Sequence, residues 1–289
     1  MAGRADTVYL NGDYLPAAEA RISVLDRGFI FGDGIYEVIP VYGGRLFRLA
    51  HHLERLDHSL DGIRLANPLD HQRWQAILEE LVRRNGGGDQ SLYLQLTRGV
   101  ADRDHRFPVG TEPTVFAMST PLEPVAPELL AGVAAMTVED IRWKWCNIKA
   151  IALLPNILMR QQAIDAGATE ALMLREGYVT EGTASNIFIV TGATVVTPPK
   201  NNLLLPGITR DLVVELCRSN GVSCLEEPVG EEQLRSADEI WLTSSTREIL
   251  PVTRLDGEVV GDGTPGPLWL KLIGLYQDYK QAFREGRIE

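Results

Sequence analysis

Residues 146–158, CNIKAIALLPNIL, set one lysine between a strand-like segment and an apolar run. The preceding VEDIRWKW (138–145) reads as the end of a strand. The following LPNILMRQQAIDAG (154–167) reads as a helix opening near Pro155 and stopping at Gly167. Apolar surroundings strip water from an ammonium group, which lowers its pKa and makes the amine a competent nucleophile toward a carbonyl. Taken alone, Lys149 reads equally as a strand-end lysine reaching back to water. Lys144 falls on the opposite face of a regular strand, so the two cannot serve one site.

Working outward, the chain changes grammar near residue 121. Upstream, Asn11-Gly12 in TVYLNGDYLP marks a hairpin, and residues 22–49 read as a further pair of strands around Gly43-Gly44. Leu49, Leu53, Leu56 and Leu60 recur at helical steps. A second helix is expected from about His71 to Arg84, ending at three glycines. SLYLQLTRG (91–99) and PTVFAMSTP (113–121) are strands flanking a polar loop, VADRDHRFPVGTE (100–112). PLEPVAPE (121–128), with its three prolines, is the linker. Beyond it come consecutive strands turning at Gly177 and Gly192, a helix TRDLVVELCRSNG (209–221), a short helix near 231–236, a hairpin at Asp256-Gly257 and a C-terminal helix from about Leu268. The expectation is an α+β protein with mostly local strand pairings: an N-terminal α+β domain over residues 1–120, a linker over 121–128 and a cofactor-binding domain over 129–289.

Composition removes whole classes of function. A hydrophobic share of 45% and a charged share of 23% fit a packed protein rather than a disordered one. The net charge of −11 disfavours non-specific binding to nucleic acid or anionic membranes. No stretch offers about 18 consecutive apolar residues, so no membrane partner is expected. Three cysteines without CxxC spacing fit a reducing, cytoplasmic setting. No phosphate-binding P-loop, dinucleotide fingerprint, HExxH or GxSxG occurs, and the five histidines lack metal spacing, so no metal is expected. His51, His52 and His58 share a helix whose face reads as solvated.

Four further features bear on chemistry. In LLLPGITRDLVVEL (203–216), Ile208 and Thr209 open a helix whose free N–H groups form a natural phosphate seat or, more simply, an ordinary cap. IWLTSSTREI (240–249) ends a strand in a hydroxyl-rich loop. YVTEGTASNIFIV (178–190) places Glu181 in an otherwise apolar hairpin, where it wants a cationic partner unless it faces solvent. Arg103, Asp104, His105 and Arg106 gather cations in one loop, as a carboxylate receptor or a solvated turn does.

Six segments in order, DRGFIFGDGIYEV, HLERL, CNIKAIALLPNIL, VTEGTASNIF, LPGITRD and LTSSTREI, resemble the pyridoxal-phosphate enzymes of fold type IV. That group holds the branched-chain and D-amino acid aminotransferases and aminodeoxychorismate lyase. Tyr36 in GDGIYEV and the RDHRF loop are most similar to the D-amino acid aminotransferase branch. The resemblance implies a smaller N-terminal α+β domain and a larger, β-rich, barrel-like C-terminal domain with helices. It implies that Lys149 forms the internal aldimine with pyridoxal 5′-phosphate and then moves the proton, and that Glu181 holds the pyridine nitrogen protonated. Arg55, Ile208, Thr209 and Ser245 are implied to hold the phosphate; position 245 is Ser where the D-amino acid enzyme has Thr. Tyr36, Arg103 and His105 are implied to clamp the substrate carboxylate, the last two contributed across a homodimer with its active site at the subunit interface. The implied reaction is ping-pong transamination between a D-amino acid such as D-alanine and a 2-oxo acid such as 2-oxoglutarate. The alternatives are an L-specific branched-chain or (R)-amine transaminase, a lyase, and a non-catalytic cofactor-binding or scaffolding protein.

Overall fold

The structure, a computed structural model, describes residues 6–288, and these divide into two compact units. The first holds residues up to Glu123, together with Ile148–Ala152 and the segment from Ala282. The second holds Pro124–Asn147 and Leu153–Gln281. The sequence placed an unbroken domain from residue 129 onward; the five residues around Lys149 and the end of the C-terminal helix instead cluster with the first unit.

In the first unit, β1 (Thr7–Leu10) and β2 (Asp13–Pro16) turn at Asn11 and Gly12, whose φ angles of 49° and 108° are those a tight hairpin needs. A short helix α1 (Arg27–Phe31) follows, then β3 (Gly34–Tyr42), β4 (Arg45–Leu46), α2 (Leu49–Gly62), α3 (His71–Arg84), β5 (Gln90–Thr97) and β6 (Thr114–Pro121). The expected strand over residues 22–33 is therefore corrected. Asp26 caps α1 by accepting from the Gly28 N–H at 2.7 Å, and Gly32 ends it in the left-handed conformation, φ 67°. The six strands form a sheet in the order β2-β1-β6-β5-β3-β4. Against it packs the apolar stripe of α3, Trp74, Leu78, Leu81 and Val82, with Leu53, Leu56 and Leu60 of α2.

The second unit begins with α4 (Pro127–Leu130) and β7 (Val133–Glu139). It continues through α5 (Leu154–Asp165), β8 (Glu170–Arg175), β9 (Tyr178–Gly182), β10 (Asn186–Thr191), β11 (Thr194–Thr197), α6 (Ile208–Ser219), β12 (Ser223–Glu226), α7 (Glu231–Arg235), β13 (Glu239–Ser244), β14 (Glu248–Leu255), β15 (Glu258–Val259) and α8 (Pro267–Arg284). Its nine strands form a curled, half-barrel sheet. Most pairings join strands consecutive in the chain, as expected, but β7 pairs β8, β11 pairs β12 and β14 pairs β7 in parallel. Parallel neighbours need a crossover, and α5 and α6 supply the first two. The sequence around Lys149 lies in one crossover and Ile208-Thr209 in the other. Both lie beyond the carboxyl end of a parallel strand, where open α/β sheets hold ligands. Glu239 closes the unit at α8 by accepting from the Leu268 and Trp269 N–H groups, each at 2.9 Å. Among the described residues, no helix is long and apolar enough to cross a membrane.

Leu78 is fully buried between α3 and the first sheet. Leu78→Ala is expected to lower stability by about 2–5 kcal/mol, read as a lower urea midpoint at unchanged slope.

Candidate active site

Lys149 does not lie on a strand. β7 stops at Glu139, and residues 140–149 run as irregular chain. Its backbone is fixed nonetheless: the Lys149 carbonyl accepts from the Tyr36 N–H at 2.9 Å, and its own N–H donates to Ser59 Oγ at 3.2 Å. Ile151 N–H donates to Gly34 at 3.1 Å, which extends the β3 edge through the segment. The half-buried ε-amine lies 4.2 Å from the centroid of the Tyr36 ring.

Next to Tyr36 on β3, Glu37 points the other way, into the core. Arg55 grips it with two hydrogen bonds, Nε to Oε1 at 2.8 Å and Nη2 to Oε2 at 2.7 Å, and His52 Nδ1 adds a third contact at 2.8 Å. Burial alone would raise the Glu37 carboxyl, but the Arg55 charge, the hydrogen bonds and His52 bring it down to about 2. Burial also holds the His52 imidazole below its ordinary value. His52 is thus a core residue; only His51 and His58 are exposed, as expected of that face.

Arg103 and His105 sit on the exposed loop between β5 and β6 and meet around Phe31: the Arg103 guanidinium is 5.6 Å and the His105 ring 5.5 Å from its centroid. Arg103 and His105 thus meet at Phe31, and Tyr36, the third expected carboxylate ligand, stands beside Lys149.

In the second unit, Glu181 on β9 is 5% exposed, which removes the solvent-facing alternative. Its carboxylate pairs with Arg142 and accepts from the Leu205 N–H at 3.0 Å and the Asn186 amide at 3.3 Å. Arg142 is held in turn by Asp140 at 2.9 Å. Burial works against its charge, but the Asp140 hydrogen bonds and the Glu181 charge outweigh this and raise its pKa further. α6 begins at Gly207, which offers no side chain to cap the first turn where Ile208 and Thr209 stand. Ser245 lies in the turn between β13 and β14, half-buried.

Arg142, Asp140, Asn186 and Glu37 escaped the sequence reading, and His52, read as solvated, is buried instead. For Glu37 and Arg142 the local signal was charge inside apolar text, as in GIYEV and VEDIRW, while Arg55 and Glu181 lie 18 and 39 residues away along the chain.

The family model for class-IV aminotransferases matches residues 34–255. The chain belongs to the class-IV aminotransferases. It is 42% identical over 261 residues to the D-alanine aminotransferase of Bacillus licheniformis, covering 90% of this chain and 92% of that one. It is 38% identical to the D-alanine aminotransferase of Staphylococcus haemolyticus, over 95% of this chain and 98% of the relative. Among solved structures it is similar to the Escherichia coli branched-chain amino acid aminotransferase, with TM-score 0.91, 25% identity and coverage of 95% and 94%. It is also similar to the T.th. branched-chain amino acid aminotransferase with pyridoxamine 5′-phosphate, with TM-score 0.89, 28% identity and coverage of 96% and 94%. The chain is an aminotransferase whose cofactor is pyridoxal 5′-phosphate.

The donor set fits that group. An aldehyde suits a half-buried lysine amine, a protonated ring nitrogen suits the buried Glu181 carboxylate, and a phosphate suits the uncapped first turn of α6.

The depressed Glu37 carboxyl contributes stability that is fully present above its ordinary value of 4.5 and is lost as pH falls toward about 2. Glu37→Gln is expected to cost about 3–5 kcal/mol at pH 7, because it leaves Arg55 buried against a neutral amide. It should also flatten the acid limb over that window; urea titrations at a series of pH values measure both.

Proposed function

We propose that this class-IV aminotransferase moves the amino group of a D-amino acid such as D-alanine to a 2-oxo acid such as 2-oxoglutarate. The products are pyruvate and D-glutamate, formed in two alternating half-reactions. The observation that carries this reading is the arginine–histidine pair around Phe31, in a chain whose curated relatives at 36–42% identity are D-alanine aminotransferases.

When bound, pyridoxal phosphate supplies an aldehyde that takes up amines and a conjugated ring that spreads the electron pair left at the substrate Cα. Lys149 holds the aldehyde end. Freed when substrate binds, its ε-amine would accept the proton from the substrate Cα and deliver it, from the same side, to C4′ of the cofactor. Glu181, oriented by Arg142, Asn186 and the Leu205 N–H, keeps a proton at the ring nitrogen. The N–H groups of Ile208 and Thr209 and the Ser245 hydroxyl would hold the phosphate, with Arg55, which Glu37 orients through Nε and Nη2, as a further ligand. Tyr36, Arg103 and His105 bind the substrate α-carboxylate and so decide which Cα–H faces the base.

In this reading Arg103 and His105 come from the partner of a homodimer whose active site lies at the subunit interface. Exposed apolar side chains in each unit support such a second copy: Val24, Phe29 and Val109 in the first, Trp143, Trp145 and Ile157 in the second. Three free cysteines support a reducing, cytoplasmic setting. The branched-chain structural relatives keep one alternative in view, an L-specific or (R)-amine transaminase on the same scaffold.

With 2-oxoglutarate as acceptor, D-alanine is expected to be turned over well ahead of L-leucine and (R)-1-phenylethylamine; turnover confined to L-leucine would remove the D-specific reading. Arg103→Ala is expected to raise the KM for D-alanine about ten- to a hundred-fold, the worth of a charge-assisted contact. Borohydride reduction and peptide mapping of the same variant should still find the cofactor on Lys149; a label on another amine would overturn that assignment.

A further inference from the structure

We propose that Arg27 is the positioning residue of the substrate-carboxylate loop, its guanidinium gripping the backbone on both sides of His105. The inference rests on the role proposed above for Arg103 and His105. Residues 98–113 contain no helix and no strand, and the tip of that loop is exposed, so the chain itself gives Arg103 and His105 no fixed direction. Arg27, by contrast, is buried, at 4% exposure. Its Nη1 donates to the carbonyl of Asp104 at 2.6 Å and lies 3.4 Å from the carbonyl of Arg106, the residues that bracket His105. Its Nε donates to Asp33 at 2.8 Å. Asp33 is held in turn by both Nε and Nη2 of Arg98, and Arg98 Nη2 also donates to the carbonyl of Ile63 just past α2.

Phe31 completes the device. Arg27 lies 4.8 Å from its centroid, and Arg103 and His105 approach the same ring. One apolar plate thus sets the spacing of the arginine and histidine side chains while a buried fork holds the backbone that carries His105. Only an arginine reaches a carboxylate and a pair of carbonyls at once, since an ammonium lacks the planar fork. A loop held in its binding conformation spares the substrate the cost of ordering it, so loosening the grip weakens carboxylate binding before it touches proton transfer.

The test is steady-state kinetics of the holoenzyme with D-alanine and 2-oxoglutarate, with thermal unfolding alongside. Arg27→Met and Arg27→Lys are each expected to raise both KM values about tenfold, with kcat within about twofold. Arg27→Met combined with Arg103→Ala should raise KM by clearly less than the product of the two single effects, because Arg27 acts through Arg103 as well as through His105. If Arg27→Met does not fold, Arg27→Lys enters the same cycle, and Phe31→Leu is expected to show the same split between KM and kcat. Unchanged KM values in Arg27→Lys and Phe31→Leu, or Arg27 and Arg103 effects that multiply, would overturn the proposal. A clear Arg103→Ala effect with silent Arg27 variants removes this inference alone. A silent Arg103→Ala removes the carboxylate loop itself, and this inference with it.

Discussion

The Tyr36 N–H donates to the Lys149 carbonyl, and the Lys149 N–H donates to Ser59 Oγ. These two bonds fix a stretch of chain that has no regular structure of its own, so the reactive amine inherits the rigidity of β3 and α2. A lysine side chain has several rotatable bonds, and its use as a base depends on where its root is held. The Tyr36 ring beneath the amine narrows the remaining freedom. Glu37, the next residue on β3, turns inward to Arg55 and His52, so one strand carries the Tyr36–Lys149 contact on one face and a buried ionic cluster on the other.

Buried charge recurs through both units. Glu37 has Arg55, Asp33 has Arg27 and Arg98, Glu181 has Arg142, and Glu170 has Arg160. Each of these four acids is answered by at least one arginine, so the net charge of −11 is not felt as unpaired carboxylate at these positions. Such pairs add little net stability over apolar packing, but breaking one strands its partner. Their use here is directional, since a bidentate fork fixes a carboxylate or a carbonyl at a defined angle.

Relatives of different specificity share this fold. The curated relatives at 36–42% identity are D-alanine aminotransferases, while solved branched-chain enzymes superpose at TM-scores up to 0.91 with 25–28% identity. A shared scaffold sets the crossovers and the cofactor end of the site, and it leaves the handedness of the substrate to side chains. The loop that carries Arg103 and His105 is irregular and exposed, where replacement costs the core little.

What the sequence determined by itself is local. α3 runs from His71 to Arg84 as its apolar spacing requires, and the turns at Asn11-Gly12 and Gly43-Gly44 fall where positive φ is needed. Ordered motifs also pointed to the family, which the match over residues 34–255 bears out. Tertiary structure alone decided that RGFIF is helical, because Asp26 caps it while holding the hydroxyls of Thr97 and Thr114. It alone decided that His52 is buried, that Lys149 joins β3 rather than a strand of its own, and that Arg142 answers Glu181. Periodicity is set by neighbours within a few residues, whereas a buried charge or an irregular segment is set by partners tens of residues away, whose arrival only the folded chain determines.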